Sequence, residues 1–231
     1  MTEAALLLRR LATVVARDPA RAPLTGRLCF ACRDLLGADS ASITVETTTP
    51  NRVMVGATDD RARRLEDLQD VTGEGPSIDA FVSGAALIVT LNEAAIERWP
   101  LFGPAARDAV GELKIYAFPM RPGTSTLGTV SLLLLDHSEL REDLASAQFL
   151  TDAVGAALLK DPLAHGDPAH SGSWSERSQV HQATGMVVAQ LGVSTEDALA
   201  LLRAHAFALG MGLTEVASKV IGRELDLRTD R

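Results

Sequence analysis

Residues 114–121 read Lys-Ile-Tyr-Ala-Phe-Pro-Met-Arg, and residues 126–136 read Thr-Leu-Gly-Thr-Val-Ser-Leu-Leu-Leu-Leu-Asp, with Pro122-Gly123 between them. Both runs are rich in apolar and β-forming residues, and the Pro-Gly step marks a turn. They read as two strands of one sheet. Working outward, residues 40–47 alternate with Ala41, Ile43 and Val45 on one face, and residues 52–58 repeat this with Val53, Val55 and Ala57. Residues 85–90 read as a fifth, short apolar strand segment. Helical spacing of leucines covers 3–16 and 23–36, and helices are expected at 59–68, 94–110 (interrupted at Trp99-Pro100) and 138–159. Strands in sequential pairs with helices before, between and after them predict an α+β class with an antiparallel sheet flanked by helices.

Further outward the pattern changes. Residues 161–173 are rich in Pro, Gly, Ser and His with no apolar period, and read as a linker. The chain therefore divides into a mixed α+β unit at 1–160, the linker at 161–173 and a tail at 174–231. The tail is helical throughout. Ser173 and Glu176 have capping-box spacing, so its first helix is expected near Trp174 and runs to Leu191. Ser194 caps the second helix, which ends at Gly210-Met211-Gly212, and the third runs from Leu213 to about Glu224. Val180, Ala183, Val187 and Leu191, then Leu199, Leu202 and Ala206, then Leu213, Val216, Val220 and Ile221 are the core stripes of a three-helix bundle. The opposite face of the first helix carries Ser178, Gln182, Gly185 and Ala189, small enough for another backbone to approach.

Composition bounds the function. With 231 residues, 46% hydrophobic, the chain is long enough for two domains. A net charge of −8 disfavours a protein that coats nucleic acid or an anionic membrane. No leader pattern and no membrane-length apolar run is present, so a cytoplasmic location is expected. Cys29 and Cys32 form a CxxC, but they sit mid-helix with no further ligands nearby, and read as core. No Gly-x-Ser-x-Gly, phosphate loop, His-Glu-x-x-His or dinucleotide fingerprint occurs, so no enzymatic activity, metal or cofactor is expected.

Val180-His-Gln-Ala-Thr-Gly-Met-Val-Val188, Ala198-Leu-Ala-Leu-Leu-Arg-Ala-His-Ala206 and Leu213-Thr-Glu-Val-Ala-Ser-Lys-Val-Ile221 stand in order at the carboxy-terminal end. Together they resemble the ANTAR family of antitermination regulators. The resemblance implies a tail that binds RNA hairpins in nascent transcripts and prevents terminator formation. Thr184 stands where many members carry Lys. The tail's six bases and seven acids over 174–231 leave it at −1, so loop-base contacts, shape and dimerisation must carry much of any affinity. The candidate RNA contacts are Arg177, His181, Gln182, Arg203, His205, Lys219 and Arg223, with Lys219 and Arg223 expected four apart on one exposed helix face. A tail that binds a protein partner is the alternative, favoured by that charge. A DNA reader comes third, because no basic recognition helix is present.

Leu36-Gly-Ala-Asp-Ser-Ala-Ser-Ile43, Gly73-Glu-Gly-Pro-Ser-Ile-Asp-Ala80, Arg98-Trp-Pro100, Ala117-Phe-Pro-Met120 and Leu127-Gly-Thr-Val-Ser131 make residues 23–160 similar to a GAF domain. The resemblance implies a small-molecule site on the sheet face. Its expected lining is Ser42, Thr44, Ser77, Trp99, Tyr116 and Phe118, with Gly73 and Gly75 supplying loop flexibility or positive φ beside it. Ser77 stands where relatives frequently carry Cys, and the cyclic-nucleotide signature is missing. The first helix and the helix at 138–159 are expected to pack in a homodimer that passes the sensor's signal to the tail.

Overall fold

The computed structural model describes residues 3–17, 23–48, 51–135, 138–160 and 172–227, and side chains for all of these except 47, 48, 51 and 172–178. The first unit contains α1 (Glu3–Ala16), α2 (Leu24–Leu36), β1 (Ser40–Thr48), β2 (Asn51–Ala57), α3 (Asp60–Thr72), α4 (Pro76–Ser83), β3 (Leu87–Thr90), α5 (Glu93–Arg98), α6 (Phe102–Val110), β4 (Lys114–Met120), β5 (Gly128–Leu134) and α7 (Leu144–Leu159). The five strands form one sheet in the order β2-β1-β5-β4-β3, antiparallel at every pairing.

Helices cover both faces. Side chains alternate along a strand, so each strand feeds two cores. Ala41, Ile43, Tyr116, Phe118, Met120, Val130, Leu132 and Leu134 pack against α1, α2 and α7. Ile115 and Leu133 face the other way, onto Ala62, Leu65, Leu91, Ala95, Trp99, Phe102 and Ala106. Burial on both faces explains the unbroken apolar reading of β5, where every residue is buried. Gly128 opens that strand opposite Val45, and a Cβ there would lie 2.0 Å from the Thr44 carbonyl. The Leu-Gly step of the motif is thus a requirement for close approach of β1.

Several boundaries move from the sequence expectation. Asp143, not Ser138, starts α7, because its carboxylate accepts the Ser146 N–H at 2.7 Å. α3 continues past Leu68 to Thr72 and ends at Gly73 (φ 70), followed by Gly75 (φ 135) and a separate helix α4. The positive φ expected at both glycines is present.

The tail forms α8 (Gly172–Leu191), α9 (Thr195–Leu209) and α10 (Leu213–Ile221). Ser194 caps α9 through the Asp197 N–H at 3.0 Å. The capping pair Ser173 and Glu176 has its side chains outside the described residues, as does most of the linker. Ala183, Val187, Ala198, Leu202, Ala206, Val216, Ala217, Val220 and Leu227 form the bundle core, and Val71 from α3 joins it. The bundle therefore packs against the first unit. α10 stops at Ile221 rather than near Glu224, and Arg223 follows with a left-handed φ of 59°. Lys219 and Arg223 accordingly do not share a helix face.

Candidate functional site

Glu66 on α3 carries the sheet-face interior. Its side chain is 1% exposed and carries five donors. Oε1 accepts from Ser42 Oγ (2.8 Å) and Ser131 Oγ (2.7 Å). Oε2 accepts from Arg52 Nη2 (2.8 Å), Gln69 Nε2 (3.0 Å) and Ser77 Oγ (3.1 Å). A carboxylate has about four lone-pair sites, so this one is saturated by the protein itself. Arg52 is 7% exposed and also donates Nη1 to Asp70 Oδ1 at 2.7 Å and contacts Ser77 Oγ. Gln69 Oε1 accepts the Ser77 N–H at 2.8 Å, and Thr44 shares a hydroxyl bond with Thr129 at 2.7 Å. Burial pushes the Asp70 carboxyl up to about 6, with Arg52 pulling the other way.

The six residues expected to line one pocket separate into three places. Ser42, Thr44 and Ser77 meet in this network. Trp99 lies on the same sheet face but in the apolar core, edge-on to Phe102 with centroids 6.0 Å apart. Tyr116 and Phe118 point to the opposite face, stacked on each other at 6.3 Å, and the Tyr116 hydroxyl meets Glu139. The period of two decides this: 42 and 44 face α3, while 116 and 118, through their register with β5, face α2 and α7. Arg52, Glu66, Gln69, Asp70 and Ser131 were missed. The legible signal was the spacing 66, 69, 70, which places three polar groups on one face of α3. Cys29 and Cys32 are fully buried, and burial raises both thiols, Cys32 to about 12. They are held as core thiols.

In the tail, His181 and Gln182 are exposed on α8 beside Gly185 and Ala189. A Cβ on Gly185 would meet nothing within 4 Å, so this face is open. Thr184 is buried and donates its hydroxyl to the Val180 carbonyl at 2.7 Å, which places no cation there. His205 is half-buried with Nδ1 2.9 Å from the Leu201 carbonyl. Lys219 is half-buried, 3.8 Å from the Glu224 carboxylate. Arg223 is exposed at the rim of a groove of about 410 Å³ lined by Met186, Ala189, Gln190, Leu225 and Asp226. The Arg177 side chain lies outside the described residues. Arg203 does not face open solvent: its Nε–H donates to the Asp70 carbonyl at 2.9 Å across the contact with α3.

The fold and these sites define a two-part α+β protein: a five-stranded antiparallel sheet flanked by helices, followed by an all-α bundle. Residues 173–221 match the ANTAR domain family. No curated protein matches the chain at a significant level. Among solved structures it is similar to the nlh2 GAF domain of A. aeolicus in an inactive state (13% identity, TM-score 0.41, 66% of this chain and 90% of that one). It is also similar to the chromophore-binding domain of the Stigmatella aurantiaca bacteriophytochrome (12% identity, TM-score 0.42, 69% and 62%). The photosensory core module of the Stigmatella aurantiaca phytochrome is matched over 44% of its length (11% identity, TM-score 0.42, 89% of this chain). The matches thus span less than two thirds of each phytochrome chain. No single described helix is long and apolar enough to cross a membrane.

Proposed function

We propose that this chain is a signal-responsive regulator whose tail binds hairpin RNA in nascent transcripts and prevents terminator formation, under control of the GAF-like unit. The observation that carries this reading is the ANTAR match over residues 173–221. The RNA surface runs along the exposed face of α8, from His181 and Gln182 over Gly185 and Ala189, to the groove beside Arg223. Small residues on that face let a phosphate backbone come close, and the groove has room for an unstacked base. Arg177 and Lys219 flank this track, with His205 and Arg203 on α9. The bulk of the tail is not basic, so shape and base contacts supply affinity. A small molecule is the signal, a homodimer through α1 and α7 is the working form, and the cytoplasm is its location. Leu6, Leu8 and Leu159 are exposed large apolar residues on those two helices and support the dimer.

The test is pulldown of hairpin RNA by the full chain, followed by sequencing. Enrichment of paired hairpins ahead of terminators is the expected result. Recovery no better than that of a scrambled pool overturns the RNA reading. The alternative, a tail that binds a protein, is favoured by Phe207 and Leu209, both 49% exposed on α9.

A further inference from the structure

The GAF-like unit and the bundle meet at one helix end. The last carbonyls of a helix have no intrahelical partner and carry the negative end of its dipole. In α3, Gly73 takes the Gln69 carbonyl through its own N–H, while the next carbonyl, that of Asp70, accepts from Arg203 of α9 at 2.9 Å. Gly73 lies against the same guanidinium: a Cβ there would make an ordinary contact, 3.5 Å from Arg203 Nη1. One residue further along α3, Val71 is 6% exposed and belongs to the bundle's core, with Leu202 and Ala206 of α9 in the same cluster. The bundle's apolar interior is therefore completed by a residue of the other unit.

The same turn of α3 is tied to the sheet-face interior. Asp70 offers its carbonyl to Arg203 and its carboxylate to Arg52, 2.7 Å away. Arg52 in turn binds Glu66 and Ser77. Asp70 thus contacts both the buried network and α9.

We propose that this contact is autoinhibitory: docking of α9 on the carboxy-terminal turn of α3 withholds Arg203 and the neighbouring face of α9 from RNA, and disturbance of the Arg52–Asp70 pair releases it. This inference rests on the proposed RNA function of the tail. Docking and RNA binding compete for the same guanidinium, so the measured affinity falls by the fraction of undocked molecules. Any signal that draws Arg52 away from Asp70 shifts α3's last turn and loosens the clamp.

The experiment compares the full-length chain with Val71→Glu, which places a charge in the bundle–α3 contact, and with the milder Val71→Ala. Circular dichroism confirms folding. Hydrogen exchange of the α3 and α9 amides reports undocking independently of RNA. RNA affinity is read with a hairpin pool on all three chains. The expected result is faster exchange at both helix ends and affinity raised about tenfold or more in Val71→Glu, with Val71→Ala between. Faster exchange with equal RNA affinity in all three overturns autoinhibition alone. Unchanged exchange in both variants overturns the docked arrangement itself. RNA binding absent from all three, with exchange raised, overturns the RNA reading and the inhibition with it.

Discussion

Arg52 of β2 and Glu66 of α3 meet at 2.8 Å with side chains 7% and 1% exposed, on the sheet face where the sequence placed a small-molecule site. An ion pair there is held by hydroxyls and an amide. Its presence turns the sheet-face interior into a polar latch made of the chain's own residues.

Removing Glu66 leaves Arg52 with Asp70 as its remaining ion-pair partner and strands the buried donors of Ser42, Gln69 and Ser131, at about 1–3 kcal/mol for a buried polar group left unsatisfied. Glu66→Ala is therefore expected to lower unfolding free energy by about 3 kcal/mol or more, read from urea titration of the full chain. The double change Arg52→Met with Glu66→Leu costs less than the sum of the two single changes, because the loss of either partner then no longer strands the other. A Glu66→Ala loss below about 1 kcal/mol contradicts the buried-pair account.

Asp70 gives the chain a pH signature. Its folded value of about 6 lies above its usual 3.8, owing first to burial and opposed by Arg52, with Glu66, Asp67 and Arg203 nearby. The folded chain holds this proton more tightly than the unfolded chain. That stabilising contribution is complete below about pH 3.8 and is lost as pH rises through about 6. Asp70→Asn has no proton to lose. Chemical unfolding across this range is expected to show the variant gaining on the wild type as pH rises. Parallel stability curves for the two chains rule out a raised Asp70.

Gly128 admits no side chain where β5 passes β1. A methyl group there would lie 2.0 Å from the Thr44 carbonyl and 2.8 Å from the Val45 Cα. The atoms it meets are all β1 backbone, with no flexible side chain to move aside, so Gly128→Ala must part the strands. A loss of about 3 kcal/mol or more is expected in thermal or urea unfolding, at the upper end for an overpacked site. A near-neutral Gly128→Ala contradicts the β1–β5 register.

Arg223 separates stability from binding. It holds a left-handed φ of 59° at the end of α10, a conformation that costs a non-glycine residue about 1 kcal/mol or more. Arg223→Gly is expected to stabilise the chain by about that amount while weakening hairpin RNA binding. Reversing both Lys219 and Arg223 to Glu weakens RNA binding further and flattens its salt dependence. Unchanged affinity at moderate salt removes both residues from the RNA surface.

Much of the architecture was written locally. The apolar runs in β4 and β5, the alternation in β1 and β2, and the stripes of α8, α9 and α10 each identify their element, because burial on a sheet face or helix stripe leaves a period in the sequence. Caps at Asp143 and Ser194 fix helix starts through side chains a few residues away. The expected start of the helix at 138 moves to 144, because the cap is Asp143. The site was less legible. Ser42, Thr44 and Ser77 come together, but Tyr116 and Phe118 lie across the sheet, since their facing depends on pairing with β5.

The sequence by itself determined two units, the strands and helices of each, the motifs of the tail and the glycines that permit turns and close approach. These follow from periodicity, capping and backbone sterics, which act over a few residues. Only the tertiary structure decided that Glu66 gathers Arg52 and three serines from four separate elements, and that Arg203 ends α3 instead of facing solvent. Those contacts join residues 11 to 133 positions apart. Their energies come from burial and from unpaired helix-end carbonyls, neither of which exists until the units pack.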